Sequence, residues 1–343
     1  MGDCSIFTYT DNDFIGKVCC SGQQNRGRSR FDIALRSGWT EKRNTGLFRY
    51  RLDELETRIL PGSRGYIAQL NIMRGTERRK PQEILSVRQN FDPKQFNFNK
   101  INPKELLFEL KRESERKCSV IINVSPLEFG HCLLVPEPEK CFPQVLTHLA
   151  VQTGIETVLL SADPGFRVGF NSLGGFASVN HLHLHGYYLN HRLKIESSPA
   201  KLVLPNLNLY ELVDFPSGFL FYTQGPNLDL VVKAICSLTD VLVDHNIAHN
   251  LFFTRGCPPQ MEPDTSSSRN GVRVIVWPRL SCFGAKEESA FNVALCELAG
   301  HLPFKNRQDY ESATEETVQD IIQKYLLPQE ETAQLKEHLM KCL

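Results

Sequence analysis

An α+β fold built on an antiparallel sheet is what this sequence predicts, on three observations. Short β-branched and apolar runs are separated by turn residues, a helical stretch interrupts them, and the same order starts again in the second half. In "CSVIINVSPLEFGHCLLVPE", the runs Ser119 to Val124 and His131 to Val135 flank a turn holding Pro126 and Gly130. In "PQVLTHLAVQTGIETVLLSAD", Val145, Leu149, Val151 and Ile155 allow a crossover helix. Two further strands, Phe166 to Asn171 and Val179 to Leu189, follow it and are joined by a Gly-rich turn.

From about Pro199 the pattern repeats: a strand, a Gly-Pro turn, a helix from Leu228 to His245, a strand from Asn250 to Thr254, a Pro- and Ser-rich loop and the strand "VRVIVWPR". Residues 199–343 are therefore expected to form an α+β half packed on the first, and to be a degenerate copy of it without a residue-level repeat. At the other end, residues 1–45 carry "CCSGQQNRGRSRFD" and are expected to form a loosely attached arm with a short helix around Phe31 to Ser37. Tyr66 to Phe98 is polar and turn-rich, and is expected to be an irregular segment wrapped on something larger, within residues 46–198, the domain that holds the motifs described below. Near the C-terminus Ser312 and Glu315 have capping-box spacing, with Glu315 and Glu316 suited to a first helical turn.

Composition narrows the functional classes. The chain has 343 residues, 41% of them hydrophobic, enough for a sizeable core. Lys plus Arg and Asp plus Glu each number 39, so no global field draws it to nucleic acid or to an anionic membrane. The eleven cysteines are scattered without a C-x-x-C pair and read as reduced thiols. The N-terminus has early acids and no apolar run, Ile6 stands where a myristoylation motif wants Ser or Thr, and no stretch is apolar enough to span a bilayer. A cytoplasmic protein is expected.

The densest chemistry lies in "NSLGGFASVNHLHLHGYYLNH". On a strand, His181, His183 and His185 would share one face at about 6 to 7 Å spacing, with Leu182 and Leu184 on the core side. Three imidazoles in register suit a metal site, since neutral imidazole binds zinc, or a catalytic site. A cupin-like metal site would want a nearby carboxylate, and "GYYLNHRLK" supplies none before Glu196. Upstream, Asn171, Gly174, Gly175 and Ser178 form a turn whose amides and hydroxyl could cradle a phosphate. His131 begins a strand expected in the same sheet. The bases Arg74, Arg78, Arg79 and Lys80 are candidates for holding phosphate or diphosphate, each weighed against an ordinary solvated loop. His245 and His249, four apart, could share a helix face, without the Glu of an H-E-x-x-H site.

"NVSPLEFGHCLLVPE" followed by "NSLGGFASVNHLHLH" resembles the histidine-triad superfamily of nucleotidyl hydrolases and transferases. With "QLN", "RRKP", "FNFNK", "ELLF" and "VNHLHLHGYYL", the similarity extends to the GDP-sugar phosphorylases, on the animal side of that family, from about Tyr66 to Leu189. The resemblance implies a histidine-triad-like sheet with flanking helices. It implies transfer of GMP from GDP-glucose to inorganic phosphate, releasing glucose 1-phosphate, with His183 as nucleophile in a GMP-histidine intermediate. It makes His181 and His185 orienting groups near the phosphates and His131 a support from the neighbouring strand. It sets Asn123 where many relatives carry a ribose-binding acid, and Asn171 and Ser178 at phosphate-contacting positions.

Imidazole suits this chemistry, being a good nucleophile and leaving group near neutral pH. Neutral His183 needs an acceptor for its other ring proton, and a backbone carbonyl is expected. The scheme calls for no metal and no cofactor. The expected partners are GDP-hexose and inorganic phosphate, with no nucleic acid or membrane, and homodimerisation is left open. One departure stands out: His185 occupies a position that is often glutamine in the transferase branch, which keeps hydrolysis, with water as second acceptor, as the alternative reaction. A nucleotide- or metal-binding module without turnover is the alternative outside enzymology.

Overall fold

A computed structural model describes residues 5–19, 28–77, 82–112, 117–260, 268–283 and 289–342. Its centre is one 11-stranded sheet. The order runs from Ile6–Tyr9 through Leu106–Arg112, Lys117–Ile122, Cys132–Pro136, Leu184–Tyr188, Phe166–Asn171, Ala248–Gly256, Gly271–Arg279, Phe219–Thr223 and Leu209–Leu212 to Ala200–Leu204. All the neighbours pair antiparallel except the first two, which are parallel, so the sheet is mixed. The two halves join at its middle, where Phe166–Asn171 pairs with Ala248–Gly256.

Each half has the same connectivity. Strand Cys132–Pro136, helix His148–Leu160, strand Phe166–Asn171 and strand Leu184–Tyr188 are matched by Phe219–Thr223, helix Asp229–Asp244, Ala248–Gly256 and Gly271–Arg279. In both, the last strand lies between the first two. The second half is thus a topological copy of the first, and its strand Gly271–Arg279, the counterpart of Leu184–Tyr188, carries no histidine.

Alternation along the central strands explains how the sheet is covered on both faces. Leu251, Phe253, Val272, Val274 and Val276 pack in one core with Ile155 and Val158 of the first helix and Ile235 and Leu238 of the second. Phe252, Ile275 and Trp277 point the other way, into a core with Leu295, Leu302 and Phe304. On that face lies a three-stranded sheet of Thr57–Ile59, Ile67–Leu70 and His301–Phe304.

Several expectations need correction. The part of the N-terminal arm from residue 28 on is packed rather than loose: the helix Arg30–Arg43 buries Phe31, Leu35 and Trp39, a stripe with a four-residue period. Its buried Asp32 accepts hydrogen bonds from Ser161 Oγ (2.6 Å), the Ala162 amide (2.8 Å) and Tyr188 Oη (2.8 Å). The stretch from Tyr66 is not wholly irregular, since it holds the strand Ile67–Leu70 and the helix Ile72–Thr76. The C-terminal helix Glu315–Gln323 is capped by Thr314 rather than Ser312, although Glu315 and Glu316 do occupy its first turn. His245 ends its helix while His249 lies on the next strand, stacked on Phe170, so the two share no helix face. Among the described residues seven cysteines are free, four of them buried, and no helix is long and apolar enough to cross a membrane.

Candidate active site

The expected strand Val179–Leu189 is shorter, Leu184–Tyr188, and the reason is Gln144. This buried side chain lies just ahead of the crossover helix. Its Oε1 accepts the His183 amide (2.9 Å), and its Nε2 donates to the carbonyls of His183 (3.1 Å) and Asn171 (2.9 Å). Gln144 thereby takes the backbone groups that a sheet ladder would use, and lets the chain bend at His183 before the strand begins. Leu182 and Leu184 are fully buried, as expected.

The bend makes the three imidazoles unequal. His181 is stacked on Phe98 at 5.5 Å, beside Phe91, and its Nδ1 accepts the Phe98 amide (3.0 Å). Its ring is not among the groups lining the neighbouring cleft, so the expectation of three rings on one face fails at this residue. What His181 brings to the site is its carbonyl, 2.7 Å from His183 Nδ1. A carbonyl only accepts, so the proton of His183 sits on Nδ1 and the lone pair on Nε2. This is the backbone acceptor the chemistry requires.

A second chain of bonds fixes His185. The Leu127 amide donates to His131 Nδ1 (2.7 Å), so neutral His131 carries its proton on Nε2, 3.1 Å from His185 Nδ1. His185 Nδ1 therefore accepts, and its own proton lies on Nε2. Asn123 Nδ2 lies 3.3 Å from His131 Nε2, and two N–H groups do not bond, which leaves the amide hydrogens for another acceptor. The rings of His183 and His185 are 5.1 Å apart, and those of His131 and His185 are 5.3 Å apart. Trp39 Nε1 donates to the His131 carbonyl (3.1 Å), which ties the first helix to the site.

Burial sets the protonation of these rings. It lowers the His183 pKa to about 4, and it holds His131 and His185 well below the usual imidazole range, with the Arg74 charge acting in the same direction on both. Both supporting rings are thus neutral at physiological pH, as their bonding requires, and so is His183.

The rings of His131, His183 and His185 border an open cleft that Asn123, Asn171 and Ser178 also line. Asn171 is itself held: its Oδ1 accepts from Asn250 Nδ2 (2.7 Å) and from the Leu295 amide (3.0 Å). Gly174 and Gly175 do not line the cleft. A Cβ on Gly174, whose φ is +73°, would lie 2.8 Å from Phe283, and one on Gly175 would lie 2.9 Å from the His249 carbonyl. These glycines close the turn against the second half instead of cradling a ligand. Arg74 is at the cleft, with Nη1 on the Ser125 carbonyl (2.5 Å), whereas Arg78, Arg79 and Lys80 lie outside the described residues.

The sequence reading missed Gln144, for which it offers no signal, and the contribution of the second half. Asn292, Ala294–Glu297, Pro303 and Lys305 complete the wall, so the site is not confined to residues 46–198. Gly169 makes this approach possible: it pairs with His185, and Leu295 packs where a Cβ would stand, at 2.6 Å. Among the described residues, no group of three or more His, Cys, Asp or Glu is arranged to hold a metal ion.

Comparison with known proteins covers both halves. Residues 30–187 match the model of the "GDPGP1-like, N-terminal domain" family and residues 196–343 that of the "GDPGP1-like, C-terminal domain" family. The chain is 58% identical over 311 residues to GDP-D-glucose phosphorylase 1 of Homo sapiens, covering 88% of this chain and 80% of that protein. It is 30% identical over 321 residues to GDP-L-galactose phosphorylase 1 of Arabidopsis thaliana, covering 85% and 69%. A crystal structure of yeast Ap4A phosphorylase in complex with Ap4A superposes with a TM-score of 0.61 at 15% identity, over 88% of this chain and 98% of that one, which establishes a shared fold.

Proposed function

Because this chain belongs to the GDPGP1-like family through both of its domains, we propose that it is a GDP-D-glucose phosphorylase working through a covalent GMP-histidine intermediate, with the histidine-triad superfamily as its wider kin. The reaction is GDP-glucose plus phosphate giving glucose 1-phosphate plus GDP. One observation carries the mechanism: the proton of His183 is committed to the His181 carbonyl, so a buried, neutral ring presents its Nε2 lone pair at the cleft.

In the first half-reaction Nε2 attacks the α-phosphorus. A P–N bond forms, the bond from that phosphorus to the bridging oxygen breaks, and glucose 1-phosphate leaves with the electron pair. The positive charge that develops on the ring is stabilised by the short Nδ1–H bond to His181. In the second half-reaction an oxygen of inorganic phosphate attacks the same phosphorus, the P–N bond breaks, and GDP departs. His185, held by His131, donates its Nε2–H to phosphoryl oxygens in both steps. Asn123 and Ser178 supply further donors, Asn123 to the ribose and Ser178 to the phosphate. Arg74 adds the positive charge that draws phosphate into the cleft.

The histidine at position 185 raises the question of water as acceptor, and the relatives in the family are phosphorylases. Turnover of GDP-glucose with isotopically labelled phosphate is expected to move the label into GDP, with negligible GMP. Unlabelled GMP as the main nucleotide product would instead make the enzyme a hydrolase.

A further inference from the structure

Inorganic phosphate and water make different demands on the second half-reaction. Phosphate brings an anionic oxygen that attacks the phosphorus as it stands, and it needs donors to hold it. Water must give up a proton as it attacks, so it needs a base beside the phosphorus. Two imidazoles besides the nucleophile line the cleft; His131 is buried and His185 is half-buried. The ring of His185 stands 5.1 Å from that of His183, so it is the imidazole that a water at the phosphorus would meet.

Whether His185 could be that base depends on which of its nitrogens carries the proton. The answer is set in the backbone. The Leu127 amide donates to His131 Nδ1 (2.7 Å), and His131 in turn presents its Nε2–H to His185 Nδ1 (3.1 Å). The turn that supplies this amide is clamped on three successive carbonyls: Arg74 Nη1 donates to Ser125 (2.5 Å), Tyr50 Oη to Pro126 and Asn71 Nδ2 to Leu127 (3.2 Å). Asn123 does not disturb the order of donors, because its Oδ1 accepts the Ser125 amide (3.0 Å) and only its Nδ2 faces His131. Burial keeps both rings neutral. The one lone pair of His185 is therefore taken by His131, and the other nitrogen meets a ligand as N–H.

We propose that His131 selects phosphate over water as the acceptor, by holding His185 in the tautomer that donates and cannot accept; the proposal rests on the phosphorylase reading above. His131 acts through His185 and is a positioning residue. Without its donor, His185 is free to carry its proton on Nδ1 and to turn a lone pair on Nε2 toward the phosphorus. A water then attacks: the new O–P bond forms, the P–N bond breaks and its electron pair returns to His183 Nε2. The proton of the water passes to His185 Nε2, and GMP leaves.

His131→Leu removes the donor, whereas His131→Gln keeps an N–H that can reach His185 Nδ1. Full-length wild type and variants are given GDP-glucose with phosphate, and the ratio of GMP to GDP produced is measured. The Leu variant is expected to raise that ratio roughly tenfold or more, as for the gain of a general base, and the Gln variant to stay near the wild type. Adding His185→Gln to the Leu variant leaves a donor amide without a basic nitrogen, and is expected to bring the ratio back down. Partial unfolding lowers both products together and does not move the ratio. A Leu variant within about twofold of the wild-type ratio, or a rise that His185→Gln leaves in place, overturns the proposal. Nitrogen NMR of the His185 ring in the wild type reads the tautomer without turnover or substitution. Nε2 protonated and Nδ1 bare is the expected result, and the reverse overturns the proposal. A wild type that makes GMP as its main product sinks the phosphorylase reading. A wild type that makes GDP, beside a Leu variant that partitions as it does, sinks the present proposal alone.

Discussion

Replacing His183 with alanine is expected to lower phosphate-dependent GDP formation by roughly 10⁴-fold or more while leaving the protein folded. The size follows from the role: every bond change in both half-reactions passes through Nε2, and among the described residues no other imidazole lining the cleft presents a free lone pair in its place. His131 Nδ1 is taken by the Leu127 amide, and His185 Nδ1 by His131. The fold tolerates the change because the ring borders an open cleft and the backbone of residue 183 is held by Gln144, whose bonds to it do not involve the imidazole. Steady-state turnover, with denaturant unfolding of the same sample, checks both parts. A variant that keeps turnover within tenfold of wild type would remove the nucleophile from this residue.

The largest stability effect is expected at Glu196. This carboxylate is fully buried between two buried guanidiniums, those of Arg167 and Arg269. Its Oε1 accepts from Arg167 Nε (2.9 Å) and Nη2 (2.6 Å) and from Thr254 Oγ1 (3.1 Å), and its Oε2 pairs with Arg269. Arg167 lies on the strand Phe166–Asn171 of the central sheet and Arg269 on the short strand Ser268–Arg269, which pairs with Val18–Cys19 in a separate two-stranded sheet, so Glu196 joins two elements that the central sheet does not. Glu196→Ala removes this carboxylate from between two buried cations, and breaking such a pair from one side costs about 3 to 5 kcal/mol. Urea unfolding at neutral pH should show that loss as a lower midpoint with little change in slope. Because none of the three side chains lines the cleft, the fraction that stays folded should retain wild-type turnover. A loss below about 1 kcal/mol would mean that the cluster is solvated or relaxes around the change.

How much of this was legible in the sequence depended on whether a feature was local. Strands such as Phe166–Asn171 and the paired β-branched runs around Pro126 show in the pattern because alternation and turn residues are local signals. The position of His131 beside His185 follows from pairing those strands. The arm was misread because its Gly, Arg and Ser content dominated, although Phe31, Leu35 and Trp39 already marked a helical stripe. The inequality of His181, His183 and His185 could not be read at all. It depends on Gln144, 39 residues away from His183, drawing the chain out of the ladder. The same applies to the wall supplied by residues 292–305, which reaches the triad only because the second half pairs with Phe166–Asn171 and Gly169 leaves room for Leu295. Glycines of the turn looked like a phosphate cradle by composition, yet Phe283 and the His249 carbonyl occupy the space beside them.

The covalent step on His183 is tested most directly by mixing the enzyme with GDP-glucose in the absence of phosphate and identifying what remains on the protein. One equivalent of glucose 1-phosphate should be released in a burst, with GMP attached through an acid-labile bond to the peptide carrying His183; adding phosphate should then release GDP. Release of glucose 1-phosphate only when phosphate is present, with no GMP on the protein at any time, would mean direct transfer and would contradict the mechanism.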